Sequence, residues 1–519
     1  MEGDYRCGGM AGVPAGTADR RAILRSALLM GAGLALAPSA AWAAPDARKA
    51  IRAAAEASKA ANIKRIQDWI GLPTIAAENR NVAEGAAYMM DLAREAGFGA
   101  VRSVPSDGFP GVFGVMDNGA KHTLGLYFMY DVKQYDPAEW SSPPLEARIV
   151  DKPGFGKAIV GRGAVNQKGP QATLLAALHA MRSAGVTPPV NIVLIAEGEE
   201  EIGSPHFRQI VQSPGVIEAL KKTQGIFMPT SWQGTNGEVS VFLGAKGLVE
   251  LELVVSGERW GRGPKGDIHS SYKAMVDAPA WRLIQALNSL VTPDGNMAVI
   301  DGWFDNVRKL SPREIALVDK VAAAANEARE KEQLGVTHWI DDLPYNRALQ
   351  RLVQDPTLNI EGLVAGYTGP GGKTILPGKA TAKLDLRIVP NQTREEVERK
   401  LRAHLDAKGF ADVEIRISGG YDPTEVAEDS RLIQAQVAAY KALGVEANLN
   451  PRGSGSWPGA AFTAPPVSIP AGHFGIGRGG AAHAPDEYYI VESSNPKIAG
   501  ITDAALGYAE MMYQFAGVR

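Results

Sequence analysis

The chain has very little cysteine: Cys7 is the single one among 519 residues. Cys7 lies in an N-terminal segment that we expect to be removed, so the mature chain can form no disulfide bond, zinc–thiolate site or cysteine nucleophile. No later run is long and apolar enough to span a membrane. The charges almost balance, with a formal net charge of −3 at pH 7, which gives no reason to expect a nucleic acid partner.

The N-terminus has the pattern of an export signal. A basic region with the paired arginines Arg20 and Arg21 precedes an apolar stretch, and Ala41-Trp42-Ala43 then supplies a small-x-small cleavage site. The paired arginines indicate the twin-arginine route. We therefore predict a signal peptide over residues 1–43, a mature protein that begins near Ala44, and a periplasmic or secreted location with no membrane segment in the mature form.

Alternating strand and helix patterns predict an α/β fold with a mostly parallel central sheet. The predicted helices are 46–70, 80–97 and 170–184, and the predicted strands are 111–116, 123–129 and 190–196. After about residue 240 the pattern changes to strands at 249–255 and 380–389, helices at 277–291 and 394–407, and a polar helix over 311–333. A final helix is predicted over 496–516.

This order predicts a catalytic domain that is split by an insert. We assign 44–244 to the first part of the catalytic domain, 245–418 to an inserted α+β domain, and 419–519 to the second part. The chain shows no internal repeat and no low-complexity tract.

Three consecutive glutamates, Glu199, Glu200 and Glu201, follow an apolar strand-like run. Carboxylates at the end of a buried strand must be solvated, paired or bound to metal, and open α/β sheets carry their chemistry at the carboxyl ends of strands. The triplet therefore indicates a general base beside a metal ligand. The alternative is a set of acidic residues at a helix N-terminus, which the helix dipole favours.

Six motifs occur in a fixed order along the chain. They are Gly161-Arg162-Gly163-x-x-Asn166-x-Lys168-Gly169, Glu200-Glu201-x-Gly203-Ser204, His269-Ser270, Arg387-Ile388-Val389-Pro390-Asn391, Ser454-Gly455-Ser456-Trp457-Pro458 and His483-Ala484-Pro485-Asp486-Glu487. The series resembles the zinc peptidase family of carnosine dipeptidase, aminoacylase, acetylornithine deacetylase and succinyl-diaminopimelate desuccinylase. The resemblance implies a doubly wound catalytic domain, an inserted ferredoxin-like lid domain used for homodimerisation, and a two-metal site.

The sequence departs from the family pattern at three metal-ligand positions. The histidine of the family's His-x-Asp motif is Met129, the bridging aspartate is Asn166, and the later aspartate aligns with Pro229. The resemblance assigns Met129 and Pro229 to one metal, and a thioether and a proline are poor donors for zinc. We therefore expect that metal site to be lost, and Asp131 to lack the histidine that it would orient.

The ligand positions for the other metal of the family's pair are better kept. The resemblance assigns Glu201 and His483 to it, and Asn166 offers only a neutral oxygen. We expect one divalent metal, zinc by preference, or none. Within the triplet, Glu200 is the candidate base and Glu199 a solvated neighbour.

The substrate-binding positions of the family are kept. The resemblance implies that His269 crosses a dimer to polarise the scissile carbonyl, and that Thr374 and Arg387 hold a substrate carboxylate. Ser456 falls in the glycine-serine turn of the family. The alternatives are a loop histidine with no role for His269 and a strand-face salt bridge for Arg387. We expect the other three histidines considered to be structural; they are His122, His206 and His473.

Three functions remain open from the sequence. The first is hydrolysis of a small peptide or an N-acyl amino acid with Glu200 as general base and at most one metal. The second is a metal-independent proton-transfer, acyl-transfer or elimination reaction on an amino-acid-like substrate. The third is a non-catalytic binding protein, against which the retention of Glu200 argues.

Overall fold

A computed structural model of the chain describes residues 45–517, which lie within a single compact unit. The predicted signal peptide and its cleavage site fall outside the described residues. None of the helices in 45–517 has the length and apolar character that crossing a membrane requires.

A mixed six-stranded sheet forms the centre of the catalytic part. Its strands lie in the order Gly99–Val104, Gly111–Met116, Asn191–Glu197, Thr123–Met129, Ile226–Pro229 and Ala471–Phe474. The last four strands pair in parallel, whereas the first two are antiparallel to their neighbours. The carboxyl ends of the parallel strands therefore meet at one edge of the sheet, where Met129 lies opposite Glu197.

Helices cover this central sheet because both of its faces are apolar. Thr123–Met129 is buried from Leu124 onward and Asn191–Glu197 from Ile192 onward, as is usual for parallel strands covered on two sides. The longer helices of this part are Pro45–Ala57, Lys59–Ile70, Val82–Ala96, Lys168–Ser183, Arg431–Ala442 and Ile501–Ala516. Its shorter helices are Phe207–Val211, Val216–Leu220 and Ala460–Thr463, with the 3-10 turns Ala76–Glu78, Pro137–Glu139 and Glu200–Ile202.

A second sheet has four antiparallel strands. Their order is Thr357–Ala365, Lys379–Ile388, Gly247–Ser256 and Glu414–Tyr421. The helices Pro279–Asn288 and Arg394–Ala407 pack on one face of this sheet, and the buried side chains of this core all fall between Val249 and Val413. These residues lie inside the predicted insert, 245–418, whose boundaries stay a prediction.

The remaining elements are shorter. Further helices are Gly257–Trp260, Pro312–Ala324, Glu327–Leu334 and Tyr345–Gln354, with the 3-10 turns Ser270–Ala274 and Ile340–Asp342. A third four-stranded sheet has the order Gly479–Gly480, Tyr488–Ser493, Gly156–Val160 and Arg148–Lys152. Three two-stranded pairs are Ile268–His269 with Ile375–Leu376, Thr424–Glu425 with Gly244–Ala245, and Ala447–Asn450 with Val239–Phe242.

The predicted helices 46–70 and 311–333 are wrong as continuous elements. The first divides at Ser58 into Pro45–Ala57 and Lys59–Ile70. The second divides where Ala325 takes an extended conformation and the side chain of Asn326 accepts a hydrogen bond from the N–H of Arg329. An Asn side chain that caps a new N-terminus competes with helix continuation, which explains the break.

Candidate active site

The glutamate triplet lies at the carboxyl edge of the central sheet. The strand Asn191–Glu197 ends there, and Glu200 opens a 3-10 turn that runs to Ile202. The N–H of Glu201 donates to Asp131 Oδ2 at 3.0 Å, and the hydroxyl of Tyr421 donates to the carbonyl of Glu200 at 2.9 Å. Asp131 therefore positions the turn that carries both glutamates, although Met129 has no imidazole for it to orient.

Glu201, Asn166 and His483 meet in the structure, although they come from three separate segments. Asn166 Nδ2 donates to Glu201 Oε1 at 2.6 Å and lies 2.8 Å from His483 Nε2. His483 Nε2 lies 3.2 Å from Glu201 Oε2. Lys133, which the sequence did not single out, joins this group: its Nζ lies 3.6 Å from Glu201 Oε2 and donates to the Glu201 carbonyl.

Burial and like charge shape the electrostatics of the group. Burial, followed by the carboxylates of Glu201, Asp131 and Glu197, raises the pKa of Glu200 well above its usual range, and Lys133 opposes the rise. Burial, followed by Glu201, raises the pKa of Asp131 to about 8. Both shifts favour the protonated acid.

The prediction that Glu199 is solvated is wrong. Glu199 is only 4% exposed, and its carboxylate lies 2.9 Å from His206 Nδ1. The chain turns after Glu201 and returns through His206, which supplies the partner that a buried carboxylate requires. His206 is thus the partner of Glu199 in the structure.

A buried ion pair holds the loop that carries Asn166. Glu487 is fully buried and accepts a hydrogen bond from Arg162 Nη1 at 2.8 Å. It also accepts from the backbone N–H groups of Gly163, Val165 and Asn166. Glu487 belongs to one of the six motifs, but the sequence assigned it no role. Its partners could not be predicted, because they lie more than 320 positions away in the chain.

The same loop leads into a helix that begins at Lys168. Lys168 is fully buried, and its Nζ donates to the carbonyls of Trp69 and Leu72 at 2.8 Å each. Burial lowers the pKa of this ammonium to about 7. Lys168 therefore fixes the loop to the helix Lys59–Ile70, and it does not face Glu201.

The substrate-binding candidates fall into two groups. Arg387 Nη1 donates to Ser456 Oγ at 3.1 Å, and Arg387 also pairs with Asp385 on its own strand at 3.2 Å. Arg387 and Tyr421 both lie opposite Leu248 on strands that flank Gly247–Ser256. This register links Arg387 to the turn of Glu200 through the sheet.

His269 and Thr374 form the second group. The strand Ile268–His269 pairs with Ile375–Leu376, and the N–H of Ser270 donates to the carbonyl of Thr374 at 2.8 Å. His269 is exposed, and its Nδ1 lies 2.9 Å from Ser271 Oγ. Within residues 45–517, no hydrogen bond or ion pair joins this group to Glu200, Glu201 or His483.

The donor set does not fit a divalent metal. Met129 is fully buried within an apolar cluster and Pro229 has no side-chain donor, so neither side chain offers a ligand that zinc prefers. At the other set, the oxygens of Glu201 face an amide NH2, an imidazole and an ammonium. In the described part of the chain, no three His, Cys, Asp or Glu side chains are arranged to hold a metal ion.

The chain resembles several known peptidases. The Cys-Gly metallodipeptidase dug1 of Schizosaccharomyces pombe is 29% identical over 288 residues, which is 55% of this chain and 57% of that protein. The Beta-Ala-His dipeptidase of Homo sapiens is 28% identical over 55% of this chain and 54% of its own length. The chain thus spans a little over half the length of these curated relatives.

Solved structures share the fold. The M20 family metallo-carboxypeptidase Sso-CP2 from Sulfolobus solfataricus superposes with a TM-score of 0.77 at 29% identity, covering 88% of this chain and 99% of that one. Human carnosine dipeptidase 1 shares the fold with a TM-score of 0.73 at 20% identity, covering 91% of this chain and all of that one, 100%. These neighbours confirm an α/β catalytic domain with a lid domain.

The family model described as peptidase family M20/M25/M40 matches residues 126–506, which include Glu200, Glu201 and His483. The chain therefore belongs to peptidase family M20/M25/M40.

Proposed function

We propose that the chain is a hydrolase that cleaves the amide bond of a small peptide or an N-acyl amino acid, with Glu200 as general base. The observation that carries the proposal is the meeting of Glu201, Asn166 and His483 directly beside Glu200 at the carboxyl edge of the sheet. Family membership supports the same class of reaction.

In the proposed reaction the ionised form of Glu200, which burial and the neighbouring carboxylates disfavour and Lys133 supports, takes a proton from a water molecule as the oxygen attacks the scissile carbonyl carbon, and returns it to the departing nitrogen. Arg387, which donates to Ser456, holds a substrate carboxylate. His269 acts on the developing oxyanion from a second copy of the chain. The donor chemistry of the site favours the metal-free form of the two forms that the sequence left open, one divalent metal or none.

A homodimer through the lid domain is part of the proposal. Thr357–Ala365 is an edge strand of the four-stranded sheet, and Ile360, Leu363 and Val364 on it are 46%, 50% and 55% exposed. An exposed apolar edge strand is a ready surface for a second chain. In such a dimer, His269 of one copy would act at the Glu200 site of the other copy.

A substrate panel with product identification tests the reaction class. The panel contains a Cys-Gly dipeptide, a β-Ala-His dipeptide and an N-acetyl amino acid, and the products are resolved by chromatography and mass spectrometry. The proposal predicts saturable release of a free acid and a free amine from at least one of them. Absence of free acid from the whole panel would contradict it.

The alternative is metal-independent proton or acyl transfer on an amino-acid-like substrate. The contact of Lys133 with Glu201 favours it, because Glu201 is paired with an ammonium and is not free to hold an ion of the kind that activates water in metal hydrolases. Adding a free amine to the same panel separates the two functions: transfer gives a new amide, whereas hydrolysis gives the free acid. Saturable turnover of either kind would also exclude the non-catalytic alternative.

A further inference from the structure

Lys133 lies where its charge acts directly on the group formed by Glu201, Asn166 and His483. It follows the strand Thr123–Met129 and Asp131, and its Nζ lies 3.6 Å from Glu201 Oε2. The Glu201 side chain is 3% exposed and that of Lys133 is 35% exposed. The ammonium of Lys133 therefore pairs with a buried carboxylate, while part of the lysine side chain faces solvent.

The other oxygen of Glu201 also faces a donor. Asn166 Nδ2 donates to Glu201 Oε1 at 2.6 Å, and the same nitrogen lies 2.8 Å from His483 Nε2. A zinc site requires deprotonated ligands whose lone pairs point at the ion. Here N–H groups take up those lone pairs, so the three side chains satisfy one another without an ion.

Charge balance leads to the same conclusion. A buried carboxylate needs a cation or several hydrogen bonds, and Glu201 has the Lys133 ammonium beside one oxygen and a hydrogen bond from Asn166 on the other. A divalent ion bound to Glu201 would lie next to the Lys133 ammonium, and the two like charges would repel. Arrival of the ion would require Lys133 to leave.

We propose that Lys133 is the built-in cation of this site, which neutralises Glu201 in place of a metal ion and keeps divalent metals out. The inference rests on the proposed function only for the role of the site in turnover. Its test measures metal binding, so the two can fail separately.

The test is calorimetric titration of the full-length protein with zinc at neutral pH. Two proteins are compared in a background with a better donor set: Asn166→Asp alone, and Asn166→Asp combined with Lys133→Met. We expect the combined variant to bind zinc at least about tenfold more tightly, because the repelling ammonium is gone. Equal affinities, including no binding by either protein, would overturn the proposal.

Two further variants in the same background separate charge from shape. Lys133→Arg keeps a cation and is expected to leave zinc affinity as it is with Lys133. Lys121→Met removes an exposed lysine just before the strand Thr123–Met129, and it is also expected to leave the zinc affinity unchanged. Thermal unfolding of each variant verifies folding, and tight, stoichiometric zinc binding by the wild-type protein would likewise refute the inference.

Discussion

Arg387 shows how one side chain can serve both a structural and a binding role. It pairs with Asp385 and donates to Ser456, and its side chain is 29% exposed. A guanidinium in this position has donors left for a substrate carboxylate. The binding role of Arg387 therefore depends on a negative charge on the substrate, so substrates with and without that charge test it.

We predict that Arg387→Ala raises KM about 10- to 100-fold for a dipeptide with a free carboxylate, because a charge-assisted contact is lost. The same dipeptide with an amidated C-terminus should show little change. Arg416→Ala is the matched control, since Arg416 is exposed on the strand Glu414–Tyr421 of the same sheet and pairs only with Glu414 in the contacts described. Equal losses on both substrates would contradict the assignment.

His473 offers a pH test of the fold. Its ring packs against Trp457 with centroids 4.5 Å apart, and burial lowers its pKa from 6.5 to about 4. The unfolded chain binds a proton at His473 more readily than the folded chain does. The stability that the fold gains by holding this side chain neutral is therefore complete above pH 6.5 and is lost as the pH falls toward 4.

His473→Phe should therefore reduce the loss of unfolding free energy between pH 7 and pH 5 by about 1–2 kcal/mol. Urea denaturation at both pH values measures the difference. His338→Phe, at an exposed position, is the control and should leave the pH dependence unchanged. An unchanged pH dependence in His473→Phe would show that this histidine is not buried neutral.

At the scale of elements, the loop from Gly161 to Lys168 is held from both ends. Glu487 binds Arg162 and three backbone N–H groups, while Lys168 binds the carbonyls of Trp69 and Leu72. Together these contacts hold Asn166 against Glu201. The stability of the loop thus depends on three buried ionisable side chains, Glu487, Arg162 and Lys168.

We predict that Glu487→Ala lowers the free energy of unfolding by about 3–5 kcal/mol, because Arg162 would keep a buried charge without its partner. Chemical denaturation measures the loss. Glu146→Ala is the control, since its pair with Arg148 is about half exposed and should contribute less than about 1 kcal/mol. Similar losses in both variants would contradict this account.

Periodicity predicted most of the elements that position the site. The helix Arg394–Ala407 has its predicted bounds, with Thr393 as its capping residue, and the strands Gly111–Met116 and Thr123–Met129 also match. Helix breaks were missed where a single side chain decides them, as at Asn326. Local patterns fix local structure, but capping competition is settled by individual hydrogen bonds.

The candidate site was predictable only in part, for a related reason. Motif order brought Glu200, Glu201, Asn166 and His483 to attention, and the structure places the last three in contact. Lys133 was missed, since a lysine in a loop has no sequence pattern that distinguishes it from a solvated one. Its role becomes visible only when the distance to Glu201 is known.

At the scale of the whole molecule, the exposed edge strand Thr357–Ala365 sets the expected assembly. We predict that Leu363→Asp converts a homodimer to a monomer in sedimentation, because a charge would be buried against the partner. Ile149→Asp, on an exposed strand of another sheet, should leave the assembly unchanged. A wild-type protein that sediments as a monomer would contradict the proposed dimer.

The most direct test of the proposed chemistry is steady-state hydrolysis by Glu200→Gln on the best substrate of the panel. Glutamine keeps the shape of Glu200 but cannot accept the proton, so kcat should fall at least about 100-fold while KM changes little. Glu84→Gln, on an exposed helix turn, should retain full activity. Unchanged amide hydrolysis by Glu200→Gln would contradict the assignment of Glu200 as the general base.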